Sequence, residues 1–174
     1  INNGCGFDVI IGNPPYVNTE GMHALLPSAE VEIYKKKYKT SHKQFDKYFI
    51  FIEQAINKIN ENGLVCYIVP NKFFKIDAGE KLRNLIAKER MLVSLDDFGD
   101  AQLFEDKTIY SSIILLSKAK QTSFVYSSVD SANKLWAGEE VSSIELNSSV
   151  LNKLPWRLTT DFEFLTMLQR LDEV

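Results

Sequence analysis

The residues best suited to chemistry in this sequence are Asn13-Pro14-Pro15-Tyr16, an amide, two prolines and an aromatic ring placed directly after the apolar run 7–11. Proline fixes φ and has no N–H, so two in succession make a stiff corner. The carbonyls of Asn13 and Pro14 can then point outward with no backbone donor beside them. Paired acceptors next to an aromatic face suit a planar substrate carrying an amino group. The Asn13 side-chain oxygen and the Pro14 carbonyl would take its two hydrogens while Tyr16 stacks on the ring. A turn that ends a strand and leaves a tyrosine on the surface is the plainer reading, and the better one for an isolated Pro-Pro-Tyr.

A second group is electrostatic. Residues 34–43 hold Lys35, Lys36, Lys37, Lys39 and Lys43 with no acid among them. Such a patch could neutralise phosphates, with salt-sensitive binding as the signature, and a solvated helix face explains the same lysines. Other chemistries have little to stand on. Two histidines, and two cysteines as far apart as Cys5 and Cys66, are too few soft ligands for a zinc site, so no metal is expected. Asp97 with Glu105-Asp106-Lys107 loosely mimics a nuclease set, but lacks the preceding proline and reads as coincidence.

These groups need elements to hold them. Residues 7–11 read as a buried strand stopped by the prolines. Phe45, Tyr48, Phe49, Ile52, Ala55, Ile56 and Ile59 recur at helical spacing and predict a helix ending near Asn62-Gly63. Residues 64–69, apolar on both faces, predict a central parallel strand that ends at Pro70. A helix through Ala78, Leu82, Leu85 and Ile86 follows, then a strand over 91–97. The strand over 111–117 is reached without a helix and so is expected to be antiparallel. The order β-α-β-α-β-β predicts an α/β fold, an open sheet with its antiparallel strand at or near one edge. In such sheets residues 12–16, 70–74 and the Gly99 loop share one rim, beyond the carboxyl ends of the strands. Residues 123–129 and, less clearly, 141–146 alternate like strands. Residues 161–171 place Phe162, Leu165, Leu168 and Leu171 on one helical face.

Composition sets outer bounds. The 174 residues are 45% hydrophobic and 25% charged, as in one compact domain, and no apolar run reaches the roughly 20 residues of a membrane span. The net charge of −3 gives no global argument for nucleic acid, so that case rests on the lysine patch. Cys66 within an apolar run reads as a packed thiol, and a reducing, cytoplasmic setting is the expectation.

The string Phe7-Asp8-Val9-Ile10-Ile11-Gly12-Asn13-Pro14-Pro15-Tyr16 closely resembles motif IV of the S-adenosylmethionine-dependent amino-methyltransferases, above all the gamma-class DNA adenine-N6 enzymes. Residues 45–53, 63–74, Leu82-Arg83, Asp97-Phe98-Gly99, and Leu103-Phe104 followed by 111–116, look like motifs V to VIII in family order, as in type IIG restriction-modification enzymes. Leu154-Pro155-Trp156 is similar to the family's approach to its target-recognition region. The resemblance implies a partial Rossmann-like sheet, its C-terminal half, with a catalytic half over 1–118 and a connection toward target recognition over 119–174. It implies methyl transfer from S-adenosylmethionine to the N6 amine of an adenine flipped out of DNA. Asn13, Pro14 and Tyr16 would be catalytic, with Phe104 as the second stacking face and Tyr110 as its fallback. Phe51 would touch the cofactor's adenine, although its helical setting allows a plain core role. Lys35, Lys36, Lys37, Lys39 and Lys43 would lie on DNA.

The sequence also departs from the family. Its glycine-rich cofactor loop is absent, since Gly4-Cys5-Gly6 precedes a strand instead of following one, and the acidic ribose ligand is missing too. The expectation is a fragment that lacks the main S-adenosylmethionine-binding half, partners that half in the whole protein, and is inactive alone. Stranded at a sheet edge, residues 7–11 would invite homo-oligomers. Rival readings are an amino-methyltransferase for glutamine or RNA, and a non-catalytic DNA-binding or specificity module.

Overall fold

A computed structural model describes residues 6–101, 110–165 and 167, and builds them around one six-stranded mixed sheet. β1 (Phe7–Gly12) is an edge strand, parallel to β2 (Ile59–Pro70). β3 (Leu92–Asp97) and β4 (Ser111–Ser117) follow, β4 lying antiparallel to both β2 and β3. On its other side β3 pairs in parallel with β5 (Ser123–Ser128), and β6 (Ser142–Asn147), antiparallel to β5, forms the far edge. The order across the sheet is β1-β2-β4-β3-β5-β6.

The antiparallel strand expected at or near an edge is therefore interior. The reason is that β4 inserts between β2 and β3 and pairs with both, while β5 and β6, from the stretch read as a connection, extend the sheet past β3. The directions expected for β1, β2 and β3 hold, and β5 runs the same way, so their carboxyl ends meet at one rim.

Helices α1 (Thr19–Leu25) and α2 (Ser28–Lys37) lead to α3 (Lys47–Lys58), and α4 (Glu80–Lys88) bridges β2 and β3. A short α5 (Ala132–Trp136) joins β5 to β6. Along α3 the helical-period residues Tyr48, Phe49, Ile52, Ala55 and Ile56 are all buried. They pack with Val65, Tyr67 and Val69 of β2 and with Ile114 and Leu116 of β4. Each fully buried large side chain contributes roughly 1.5 to 3 kcal/mol, so this layer dominates the stability of the sheet.

The end of α3 differs from expectation. The helix stops at Lys58, and β2 starts at Ile59, which pairs with Phe7 ahead of a bulge. Asn62-Gly63 is thus inside the strand region. Gly63 serves close approach, since a Cβ there would lie 2.7 Å from the Phe7 carbonyl oxygen.

The opposite face of the sheet is open. Phe7, Val9 and Ile11 alternate outward from β1 at 62%, 51% and 76% exposure. Leu64 and Cys66 of β2 lie in register with Val9 and Ile11 and are only half-buried. Near them, burial raises the pKa of the Asp96 carboxyl, while burial and then the charge of Asp96 push the Cys66 thiol up. At the C-terminal end, Phe162 of the expected apolar helical face is exposed.

Candidate active site

The rim is built from three strand ends. β1 makes its last pairing at Gly12, opposite Tyr67, and the chain then turns through Asn13 and Pro14. Pro14 is buried while Asn13 is exposed. Among the described residues, no donor engages the carbonyl of either one. Prolines cannot continue the ladder, so β2 is left with acceptors beyond that point. Tyr16 meets one of them, donating its hydroxyl to the Ile68 carbonyl at 2.9 Å.

That bond makes Tyr16 more than a surface ring ending a strand. Its ring is half-buried and sits edge-on to Tyr48, with centroids 6.3 Å apart. Burial raises the Tyr16 phenol to about 12, so it stays a neutral donor at ordinary pH. Tyr48 is fully buried and donates its hydroxyl to the Pro70 carbonyl at 3.2 Å. Tyr48 also contacts Phe73, so the aromatic series Tyr16, Tyr48, Phe73 runs from the first rim turn to the second.

The second turn, Asn71–Phe74, follows β2. Asn71 donates its side-chain amide to the Asp97 carboxylate at 2.7 Å and its backbone N–H to the Tyr110 carbonyl at 2.9 Å. Asp97, the last residue of β3, also accepts from the Gly99 N–H and from the Tyr126 hydroxyl. Lys72 pairs with the buried carboxylate of Asp46 at 2.9 Å. One carboxylate at the end of β3 thus ties together β2, the Gly99 turn and β5. Sequence reading placed residues 70–74 and the Gly99 loop on the rim but gave Asn71 no task, weighed Asp97 only within the Asp97-Phe98-Gly99 motif and a coincidental nuclease-like set, and did not bring Tyr126 to the rim. The available signal was an acid directly before the Phe98-Gly99 turn.

The remaining expected site residues fall as follows. Tyr110 is exposed at the rim. Phe104 lies outside the described residues. Phe51 is 39% exposed on α3, so the plain core role does not hold for it. Lys35, Lys36, Lys37, Lys39 and Lys43 are all exposed, the first three closing α2. The patch is less free of acid than residues 34–43 imply: Lys35 pairs with Glu32 at 2.9 Å and Lys43 lies 3.4 Å from Asp77. An open groove of about 590 Å³ runs beside the rim between Asn18, Lys43, Asp46 and Lys72. Among the described residues, no three His, Cys, Asp or Glu side chains converge in a way that could hold a metal ion.

Chemically, the rim offers a proline-braced corner, with Asn13 exposed and Pro14 buried, beside a fixed aromatic ring. Comparison with known proteins adds the following. The family described as Eco57I restriction-modification methylase matches residues 1–104. The type II restriction enzyme and methyltransferase RM.Eco57I of Escherichia coli is 42% identical over 156 residues, covering 84% of this chain and 16% of that protein. The type II methyltransferase M.XhoI of Xanthomonas vasicola is 27% identical over 184 residues, covering 96% of this chain and 33% of its own. The chain therefore spans a third or less of the length of either. Among solved structures, a DrdV–DNA complex aligns with a TM-score of 0.63 at 17% identity, over 89% of this chain and 18% of that one. The type I restriction-modification methyltransferase subunit of Streptococcus thermophilus aligns with a TM-score of 0.55 at 18% identity, over 72% and 27%. At these identities the two structures speak for the fold alone.

Proposed function

Because this chain belongs to the Eco57I restriction-modification methylase family, we propose that it is the catalytic-motif half of a site-specific DNA methyltransferase, acting on the N6 amine of a flipped adenine. The observation that carries this reading is the Asn13–Pro14 corner: an exposed amide beside a buried proline, with neither carbonyl engaged among the described residues. The relatives contribute the restriction-modification setting.

The adenine amine is a poor nucleophile because its lone pair is delocalised into the ring. Acceptors that draw on both N–H bonds pull the nitrogen away from that conjugated geometry. The Asn13 side-chain oxygen and the Pro14 carbonyl are those acceptors. Their attraction grows as positive charge develops on the nitrogen, so they stabilise the transition state more than the bound base. The prolines hold them in place before the base arrives, and positioning supplies much of the remaining rate.

The base must first leave the duplex, which costs a few kcal/mol in stacking and pairing. An aromatic face returns about 1 to 3 kcal/mol per base. Tyr16, its ring fixed by the bond to Ile68, is one such face, and Phe104 or Tyr110 is the other. The five lysines at the end of α2 and just beyond it approach the phosphates beside the target.

S-adenosylmethionine, when bound, supplies an electrophilic methyl group. In this chain the partly exposed ring of Phe51 fits contact with its adenine. The main part of the cofactor site belongs to the half of the domain that carries the glycine-rich loop. That half packs against the open face of β1 and β2, where Phe7, Val9 and Ile11 stand outward. Residues 119–174 lead toward the target-recognition region. Without the partner half, the 174-residue chain self-associates through the β1 edge, and light scattering of the purified chain should show oligomers. A monodisperse monomer with a cooperative melt would remove that part of the reading.

The main test is a product analysis. The full-length protein is incubated with methyl-labelled S-adenosylmethionine and DNA, and the DNA is digested to nucleosides. Label is expected in N6-methyladenine. Label in cytosine, or none in DNA while a glutamine-bearing protein or an RNA is labelled, would overturn the assignment.

A further inference from the structure

Among the described residues, one of the largest fully buried side chains is a charged one that the proposed chemistry does not use. Arg83 on α4 is 2% exposed. Its recorded partners are backbone carbonyls. Nη1 donates to Phe73 at 2.6 Å and to Ile76 at 2.8 Å, and Nε donates to Lys153 at 3.0 Å. The fit is close enough to require glycine next to it: a Cβ on Gly79 would lie 2.3 Å from the Phe73 oxygen and 2.8 Å from Nη1.

Burying a guanidinium is expensive unless its donors are satisfied, and an apolar residue of similar volume often serves stability as well or better. What arginine adds is a planar fork that fixes main-chain atoms relative to one another. Here those atoms belong to two segments 70 residues or more apart. Phe73 is in the rim turn Asn71–Phe74, and Lys153 is in the strand-free stretch after β6. A second tie runs in parallel, because the Trp156 N–H donates to the Phe74 carbonyl at 2.9 Å. The Trp156 ring stacks on Phe74 at 5.9 Å and meets Phe73 edge-on at 5.8 Å. Its indole N–H returns to the Asn152 carbonyl at 2.8 Å.

The outgoing chain is thus bolted to the later half of that rim turn, by main-chain bonds at 153 and 156 and by the buried Trp156 indole. We infer that Arg83 is a positioning residue: with Trp156 it fixes the direction in which the chain leaves the rim, and so the placement of the DNA-reading part over the Asn13 corner. This rests on the reading above that the rim methylates DNA and that a recognition region follows. The bolt bears on the later half of the turn and on the exit segment. Asn71 and Lys72 are held separately, by Asp97 and Asp46. Loosening it should therefore disturb DNA placement more than the reacting corner.

The experiment uses the full-length protein and a duplex bearing the sequence that the wild type methylates. In Arg83→Met and Arg83→Lys the KM for DNA should rise about tenfold and discrimination against single-base-pair variants should fall about tenfold, with kcat at saturating DNA within about threefold of wild type. Lysine should not rescue, because a point charge cannot reproduce the fork. Trp156→Phe, which keeps an aromatic ring and the backbone bond but loses the indole N–H to the Asn152 carbonyl, should move the same measures in the same direction by a smaller factor, about threefold. A fall in kcat with the DNA KM unchanged, or wild-type behaviour in Arg83→Met, overturns the inference. So does loss of a cooperative melt in both Arg83 variants, which would make the residue a folding requirement. A wild type that methylates no DNA overturns the functional reading instead. The bolt is then judged by hydrogen exchange, where the Trp156 amide should lose protection in Arg83→Lys, and unchanged protection would reject it.

Discussion

The turns that close β1 and β2 are neighbours on one rim, and they are made rigid in opposite ways. The first is stiffened covalently, by Pro14 and Pro15, and among the described residues adds one side-chain bond, from Tyr16 to Ile68. The second is stiffened by partners: Asn71 on Asp97, Lys72 on Asp46, and Arg83 on the carbonyls of Phe73 and Ile76. A corner whose shape is set by proline rings does not need its own carbonyls to keep that shape. They remain available to something outside. The hydrogen-bonded corner has its polar groups committed and acts as a frame for its neighbour.

If that contrast is right, removing an acceptor from the first turn should be the most damaging change at the rim. Asn13→Ala in the full-length protein should lower kcat for methyl transfer about 10²- to 10³-fold, the loss seen when one preorganised partner of developing charge is deleted. DNA affinity should change by no more than about threefold, since base contacts by one amide are a small part of a phosphate-dominated interface. Parallel losses in single-turnover rate and in binding by anisotropy would instead mark Asn13 as part of a structural turn. Breaking the frame should look different. Asp97→Asn weakens the bonds from Asn71, the Gly99 N–H and Tyr126, and should cost about 1 to 3 kcal/mol of stability in denaturant titrations. Its kcat should fall far less than that of Asn13→Ala.

The first turn was more legible in the sequence than the second, and for the same physical reason. Pro14 and Pro15 act locally, so their effect can be read from two adjacent letters. The second turn depends on groups 26 and 29 residues apart, Asn71 with Asp97 and Asp97 with Tyr126, which only the sheet brings together. The α3 face was legible because one buried stripe repeats with the helix period. The interior place of β4 was not, because it follows from β4 inserting between β2 and β3, a pairing that no local pattern encodes. Gly63 misled for a related reason. A glycine after a helix looks like a cap, whereas here it makes room for the carbonyl of Phe7 on another strand.

The lysines extend the comparison from hydrogen bonds to charge. Lys72, on the second turn, is already matched by the buried carboxylate of Asp46. Lys36 and Lys39 are exposed at the end of α2 and just beyond it. Each phosphate contact contributes about 0.9 to the slope of log affinity against log salt. The double variant Lys36→Ala/Lys39→Ala should therefore flatten that slope by about 2, while Lys72→Ala leaves it unchanged within about 0.5. Equal flattening by both would mean that the second turn also faces DNA and is not merely the frame.

The finest probe is the one hydrogen bond that the first turn does use. Burial holds the Tyr16 phenol at about 12, while in the unfolded chain it titrates near its ordinary value of 10. Below pH 10 both states keep the proton and stability is flat. Between 10 and 12 only the unfolded chain releases it, so stability falls as pH rises through that window. Tyr34, also raised to about 12 chiefly by its bond to Glu30, and Tyr48, raised by burial, act in the same direction. Tyr16→Phe should therefore make the alkaline decline of Tm shallower without abolishing it. Near neutral pH it loses the bond to the Ile68 carbonyl, about 1 kcal/mol. Its ring face is kept, so kcat should remain within about threefold of wild type. A loss on the scale of Asn13→Ala would mean that the first corner relies on its hydrogen bond as heavily as the second does, and proline stiffness would no longer explain why its oxygens are free.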